Sequence, residues 1–279
     1  MPAACFEPVV RGGSSMDSNR ARTVARPGTL AVVLAALFAG ALPRDAGAAP
    51  PDFAGVWGMV QHDRLGAPFF IPIEPKLNAA GKAATDAFKA KYDVAHHEAN
   101  GACVEPGMPT VMWGIGGAAM EVVQQPQRIT LLSELANQSR RIFLDGRAMP
   151  DSFPDQRVGF SVGHWDGDTL VIETSNVSEW QAPRWPHSGE FHVTERWHLD
   201  DPAKFKITGL RPDRPPPKID GKILVNEMTM NDRQWYADKD YRDTVIYRKL
   251  DNYMLEDNCT EGIWMKQLEQ EAAAKPAKN

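Results

Sequence analysis

From residue 110 to about 250 the chain alternates apolar and polar residues in short β-prone runs separated by turn residues, the pattern of antiparallel strands. Strands are expected at Gly55–Val60 and over 119–125, 128–135, 139–145, 158–165, 169–174, 190–199, 204–210, 222–231 and 243–249. Asp166-Gly167 predicts a two-residue hairpin, because such turns need positive φ at their centre, and Asp145-Gly146 and Asp220-Gly221 predict further turns. Residues 76–98 place Leu77, Ala80, Ala84, Ala87 and Phe88 at helical spacing, a stripe too thin to fill a core, so a peripheral helix is expected there. Residues 263–279, rich in Glu, Gln, Lys and Ala, read as a short C-terminal helix or a frayed tail. There is no alternation of strands with helices and no repeat. The expected fold is mainly β, one domain over 50–279: an antiparallel meander closed as a lipocalin-like barrel, with a β-sandwich as the alternative.

The N-terminus reads differently. Arg20, Arg22 and Arg26 precede the apolar run 29–42, and Ala46-Gly47-Ala48-Ala49 follows it, the layout of a secretory signal peptide cleaved near Ala48 or Ala49, with Met16 as an alternative start. The run is shorter than the roughly 20 residues a spanning helix needs, so no stable membrane span is expected after cleavage, and the mature protein is placed in the periplasm or outside the cell. The full chain has 279 residues, 43% hydrophobic and 24% charged, with formal net charge −5. Without residues 1–49 it loses five Arg and three acidic residues and reaches −7. No basic cluster then remains to neutralise a row of phosphates, which argues against nucleic acid as a partner. The same cut removes Cys5 and leaves Cys103 and Cys259, an even pair in a compartment where disulfides persist. A bridge between them is expected; two separate buried thiols are the alternative.

No Gly-rich phosphate loop, Gly-x-Ser-x-Gly turn or Cys-x-x-Cys-His haem motif occurs, and no cofactor is expected. His96-His97-Glu98 and the trio His187, His192 and His198 lack zinc-ligand spacing, so no metal is expected either. The strongest positional signal lies in 190–199. At a two-residue period Phe191, Val193, Glu195, Trp197 and Leu199 share one face, and His192, Thr194, Arg196 and His198 share the other. The apolar face belongs to a core, which sets Glu195 between Val193 and Trp197. There it is either satisfied by an Arg or Trp N–H across the barrel or poised for proton transfer. If the wet side faces inward instead, His192 and Arg196 line the pocket.

Glu173 and Glu227 also share faces with apolar residues, and paired carboxylates are what glycoside hydrolysis needs. Arg140, Arg141 and Arg147 beside a turn either bind a carboxylate or pair with these strand acids. His187-Ser188 sits in a Pro- and Trp-rich loop where functional residues commonly lie. All eight Trp follow the signal region and either line an apolar cavity or pack the core.

Four segments together, Cys103-Val-Glu-Pro-Gly-Met-Pro109, Arg140-Arg-Ile-Phe-Leu-Asp-Gly-Arg147, Gly163-His-Trp-Asp-Gly-Asp-Thr-Leu-Val171 and His187-Ser188 followed by His192-Val-Thr-Glu-Arg196, resemble a large group of uncharacterised exported bacterial proteins. The likeness runs from about Gly55 to Gly262. It implies that the four segments act together and assigns none a catalytic role.

The combined expectation is an extracytoplasmic barrel that binds a small apolar or aromatic molecule. Glu195, His187, His192 and Arg196 are the candidates for cofactor-free acid–base chemistry of the lyase, isomerase or hydrolase kind. Arg141, His164, Trp165 and Trp197 are the candidate ligand contacts. A non-catalytic carrier and a structural module of the envelope are the alternatives.

Overall fold

In the computed structural model, which describes residues 49–63, 74–93, 103–114, 118–182, 185–209 and 214–274, nine strands close into a barrel. They are β1 (Gly55–Val60), β2 (Met120–Gln125), β3 (Arg128–Ser133), β4 (Ser139–Phe143), β5 (Phe160–Asp166), β6 (Thr169–Ser175), β7 (Phe191–Asp200), β8 (Ile223–Asp232) and β9 (Tyr241–Leu250). Each pairs with its sequence neighbours, and β1 pairs with β9 to close the ring. An odd number of strands cannot close with every neighbouring pair antiparallel. The exception is β4 with β5, which run parallel through Ile142 opposite Ser161 and Phe143 opposite Val162. Residues 144–159 make the return connection that a parallel pair requires. The meander expected from sequence is thus two antiparallel meanders joined at one parallel seam.

Two further details depart from expectation. The β5–β6 hairpin pairs Asp166 with Thr169, so its central residues are Gly167 and Asp168 rather than Asp166 and Gly167. Only Gly167 has positive φ, +60°, as the turn with Gly at its first central position demands. The described residues of the expected strand 204–210, which end at 209, do not add a strand. Phe205, Ile207 and Ile219 instead pack on an outer-face cluster of Val60, Ile223, Val225 and Ile246, and Ile207 makes a single bridge to His62. That segment looks β-prone because it covers a second apolar face of the sheet.

The inner faces form one core that includes Ile129, Ile142, Leu170, Ile172, Val193, Trp197, Met228 and Val245. Phe53 closes one end, fully buried beside Trp165 and Trp197. By strand direction, the other end is where β1 ends and β2 begins, and likewise where β3 gives way to β4, β6 to β7 and β8 to β9. At this loop-rich end a short 3-10 turn, Thr110–Trp113, seats Met112 against the interior. Helix α1 (Ala79–Lys91) caps the same end. The Asn78 side chain accepts from the Ala80 and Gly81 amides and donates to the Gln234 carbonyl, fixing the helix to the β8–β9 connection. Only Gly81 and Thr85 of the helix are buried, in keeping with its thin apolar stripe.

Helix α2 begins at Cys259 and runs to Ala274. The Cys103 and Cys259 sulfurs are 2.05 Å apart, a disulfide that ties the start of the Met112 segment to this helix. Among the described residues no helix is long and apolar enough to cross a membrane. The signal region through residue 48 and His96-His97-Glu98 lie outside the described residues.

Candidate functional site

Strand parity places Glu195 inside the barrel, fully buried, as the apolar pattern of β7 required. Its two oxygens are fully engaged. One is paired with the Arg140 guanidinium. The other accepts from Asn226 Nδ2 at 2.8 Å and from Trp197 Nε1 at 3.4 Å. Arg140, only 2% exposed, also donates to Ser161 Oγ at 3.1 Å, Thr174 Oγ1 at 2.8 Å and Met112 Sδ at 3.3 Å. Tyr247 donates its hydroxyl to the Met112 carbonyl. Burial, reinforced by the Glu195 charge, pushes that hydroxyl far above its ordinary value, so it stays protonated. The network draws on six adjacent strands, β4 to β9, and reaches Met112 at its top.

The interior cation is therefore Arg140, whereas Arg141 is exposed on the outer face, where it cannot meet Glu195. Alternation decides this: Arg140 shares its side of β4 with the buried Ile142. His192 and Arg196 are likewise exposed on the outer face, Arg196 paired with Asp166 at 3.1 Å. His164 is exposed, and Trp165 points inward against Phe53 with ring centroids 5.5 Å apart. Glu173 and Glu227 lie exposed outside the barrel, Glu173 accepting from Thr194, so the strand acids do not converge on a carboxylate pair with Glu195. The residues proposed for acid–base work thus fall into an interior group, an exterior group and His187.

His187 is buried at the loop-rich end, stacked on Phe191 with centroids 4.5 Å apart. Its Nδ1 faces the Trp185 carbonyl at 2.8 Å and its Nε2 faces the Ser178 carbonyl at 3.1 Å. A neutral ring can donate to one of these and the imidazolium to both. Burial nevertheless dominates, lowering its pKa to about 4; the Trp185 and Ser178 carbonyls and Asp232 work against this, and Arg157 works with it. The sign for stability follows. Unfolding releases a ring that binds a proton below its ordinary value of 6.5, while the folded ring resists until about 4. Stability is therefore lost as pH falls from 6.5 to 4, by about 3 kcal/mol at most from this residue. Urea denaturation at pH 7 and pH 4.5 should show this loss, and His187→Phe should remove that share of it.

Ser188 completes no nucleophilic arrangement, because its hydroxyl donates to Asp232 at 2.8 Å. Asp232 also accepts from the amides of Ser188, Gln234 and Trp235, so its buried charge is satisfied by four donors and organises the chain between β6–β7 and β8–β9.

Beside this support stands a feature that strand parity cannot reveal: a cluster of four aromatic rings drawn from three connections and the start of β9. Trp113 and Trp185 lie 5.0 Å apart between centroids, Trp185 and Tyr241 6.3 Å, and Tyr236 and Tyr241 5.4 Å. Trp113 donates to Asp243 at 2.7 Å. Trp185 adopts φ +70°, a left-handed conformation that is strained for a bulky residue and recurs where surrounding structure holds a functional side chain in place. The Trp-rich composition of 180–185 was the available signal. Its partners Tyr236 and Tyr241 lie some fifty residues further on.

No family model matches the chain, and no curated protein matches it. Among solved structures, a variant of the fluorescent protein UnaG is similar at 15% identity with a TM-score of 0.31, covering 72% of this chain and 97% of that one.

Proposed function

We propose that this is an exported, non-catalytic binding protein for a small apolar or aromatic molecule, which it holds at the loop-rich end of the barrel. The single observation that carries the reading is the Trp113–Trp185–Tyr236–Tyr241 cluster, four rings gathered by converging loops on a rigid scaffold, of which Tyr241 is partly exposed. A catalytic reading needs a group free to move a proton, and the interior carboxylate has both oxygens committed to Arg140, Asn226 and Trp197. Export is supported by the signal-like N-terminus and the cysteine pair. The likeness of its four motifs to exported bacterial proteins points the same way.

Titration of the purified, disulfide-bonded protein with the neutral dye Nile red tests the reading. Saturable one-site binding with blue-shifted emission is expected, weakened about tenfold or more in Trp185→Ala when circular dichroism shows the barrel intact. Non-saturable binding, or unchanged affinity in a folded Trp185→Ala, overturns it.

A further inference from the structure

On the outer wall, beside the cover that Phe205, Ile207 and Ile219 provide, a groove of about 470 Å3 opens between β1 and β9, with Gln61, Thr208, Arg214 and Arg248 in its lining. Alternation on β9 sets Arg248 outward, since Tyr247 belongs to the interior core and Ile246 to the outer cluster. Its cross-strand partner is Gly58, which has no side chain to cover it. Gln61 and Thr208 are held side by side, the Thr208 amide donating to the Gln61 carbonyl at 2.9 Å. Gln61, Thr208 and Arg248 are half-buried and Arg214 is exposed, and among the described residues none of these four side chains has a hydrogen-bond or ionic partner. Polar groups withdrawn from water are ordinarily paired, so unused capacity gathered round one groove points to a polar ligand. No acidic residue is among the described lining, and Asp63 and Asp220 of the flanking chain are already paired with Lys206 and Lys218 at 2.8 and 3.1 Å. In a chain with 36 acidic residues against 31 basic ones, two guanidinium groups thus border one groove without a counter-charge.

We infer that this groove binds a small organic carboxylate, at a second site separate from the loop-rich end. The planar fork of a guanidinium matches the edge of a carboxylate, and the Gln61 amide and Thr208 hydroxyl supply further donors. Val60 and the rings of Pro215 and Pro217 line the same groove and give an apolar body a surface to lie on. The volume falls within the roughly 300–1,000 Å3 of small-molecule sites, and an inorganic ion would leave most of it unfilled.

Calorimetric titration of the full mature chain with cyclohexanecarboxylate, its neutral analogue cyclohexanecarboxamide and inorganic phosphate tests the assignment. The carboxylate is expected to bind at one site about tenfold or more tightly than the amide, and to lose about tenfold in affinity in Arg248→Gln and in Arg214→Gln, each with wild-type circular dichroism. Arg128→Gln, which removes one charge from the exposed face of β3, should leave that affinity unchanged. Saturating carboxylate should leave Nile red binding unchanged. Absence of saturable carboxylate binding, equal affinity for carboxylate and amide, or full affinity in both arginine variants overturns the inference. Phosphate binding as tight as that of the carboxylate would mean that the groove reads charge alone, and overturns the organic body. Displacement of Nile red by the carboxylate places the anion at the loop-rich end, which overturns the second site and leaves the proposed function standing. Carboxylate binding with the expected arginine dependence in a protein that fails to bind Nile red supports this inference and overturns only that function.

Discussion

Arg140→Met is expected to destabilise the protein by about 3–5 kcal/mol, among the largest effects of any single substitution. The change leaves the fully buried Glu195 without its cation while Asn226 and Trp197 still donate to it. Arg140→Lys should be nearly as harmful. One ammonium cannot reproduce the planar fork that reaches Ser161, Thr174, Glu195 and Met112 at once. The double change Arg140→Met with Glu195→Leu should recover much of the loss, because replacing both charges with apolar groups removes the uncompensated one. Urea denaturation followed by tryptophan fluorescence measures all three. A single variant within about 1 kcal/mol of wild type would mean that Glu195 finds another partner.

Removing the disulfide should cost a comparable amount. Cys103 and Cys259 are separated by 156 positions, and closing a loop of that length restricts the unfolded chain by about 5 kcal/mol in the chain-entropy account. Cys103→Ser and Cys259→Ser should therefore unfold at much lower denaturant concentration, and the wild-type protein should match them once reductant is added. The double variant should be no worse than either single one. Additive losses would instead assign each cysteine a packing role of its own.

The barrel was legible because most strands have one core-facing side, and a two-residue period exposes that side directly. Parity on β7 correctly put Glu195 in and His192 and Arg196 out. On β8 it was weaker, since Ile223 to Asn226 are all buried, the outer face being covered by Phe205, Ile207 and Ile219. The same cover made 204–210 resemble a tenth strand. On β4 the pattern is present, with Ile142 two residues beyond Arg140, but adjacency to a turn points to Arg141 instead. The aromatic cluster was not legible. Trp113, Trp185, Tyr236 and Tyr241 come together only through loop conformations, and loops carry no period from which a facing side can be read.

The parallel seam gives the interior ion pair a mechanical meaning. Between β4 and β5 the wall is joined over the shortest stretch in the ring, Ile142 with Ser161 and Phe143 with Val162, whereas β7 and β8 run together along their whole lengths. Arg140 sits on the β4 side of that joint. It grips Ser161 on β5, Thr174 on β6 and Glu195 on β7. The short backbone joint is thus backed by one guanidinium, which rivets the two meanders together from the inside.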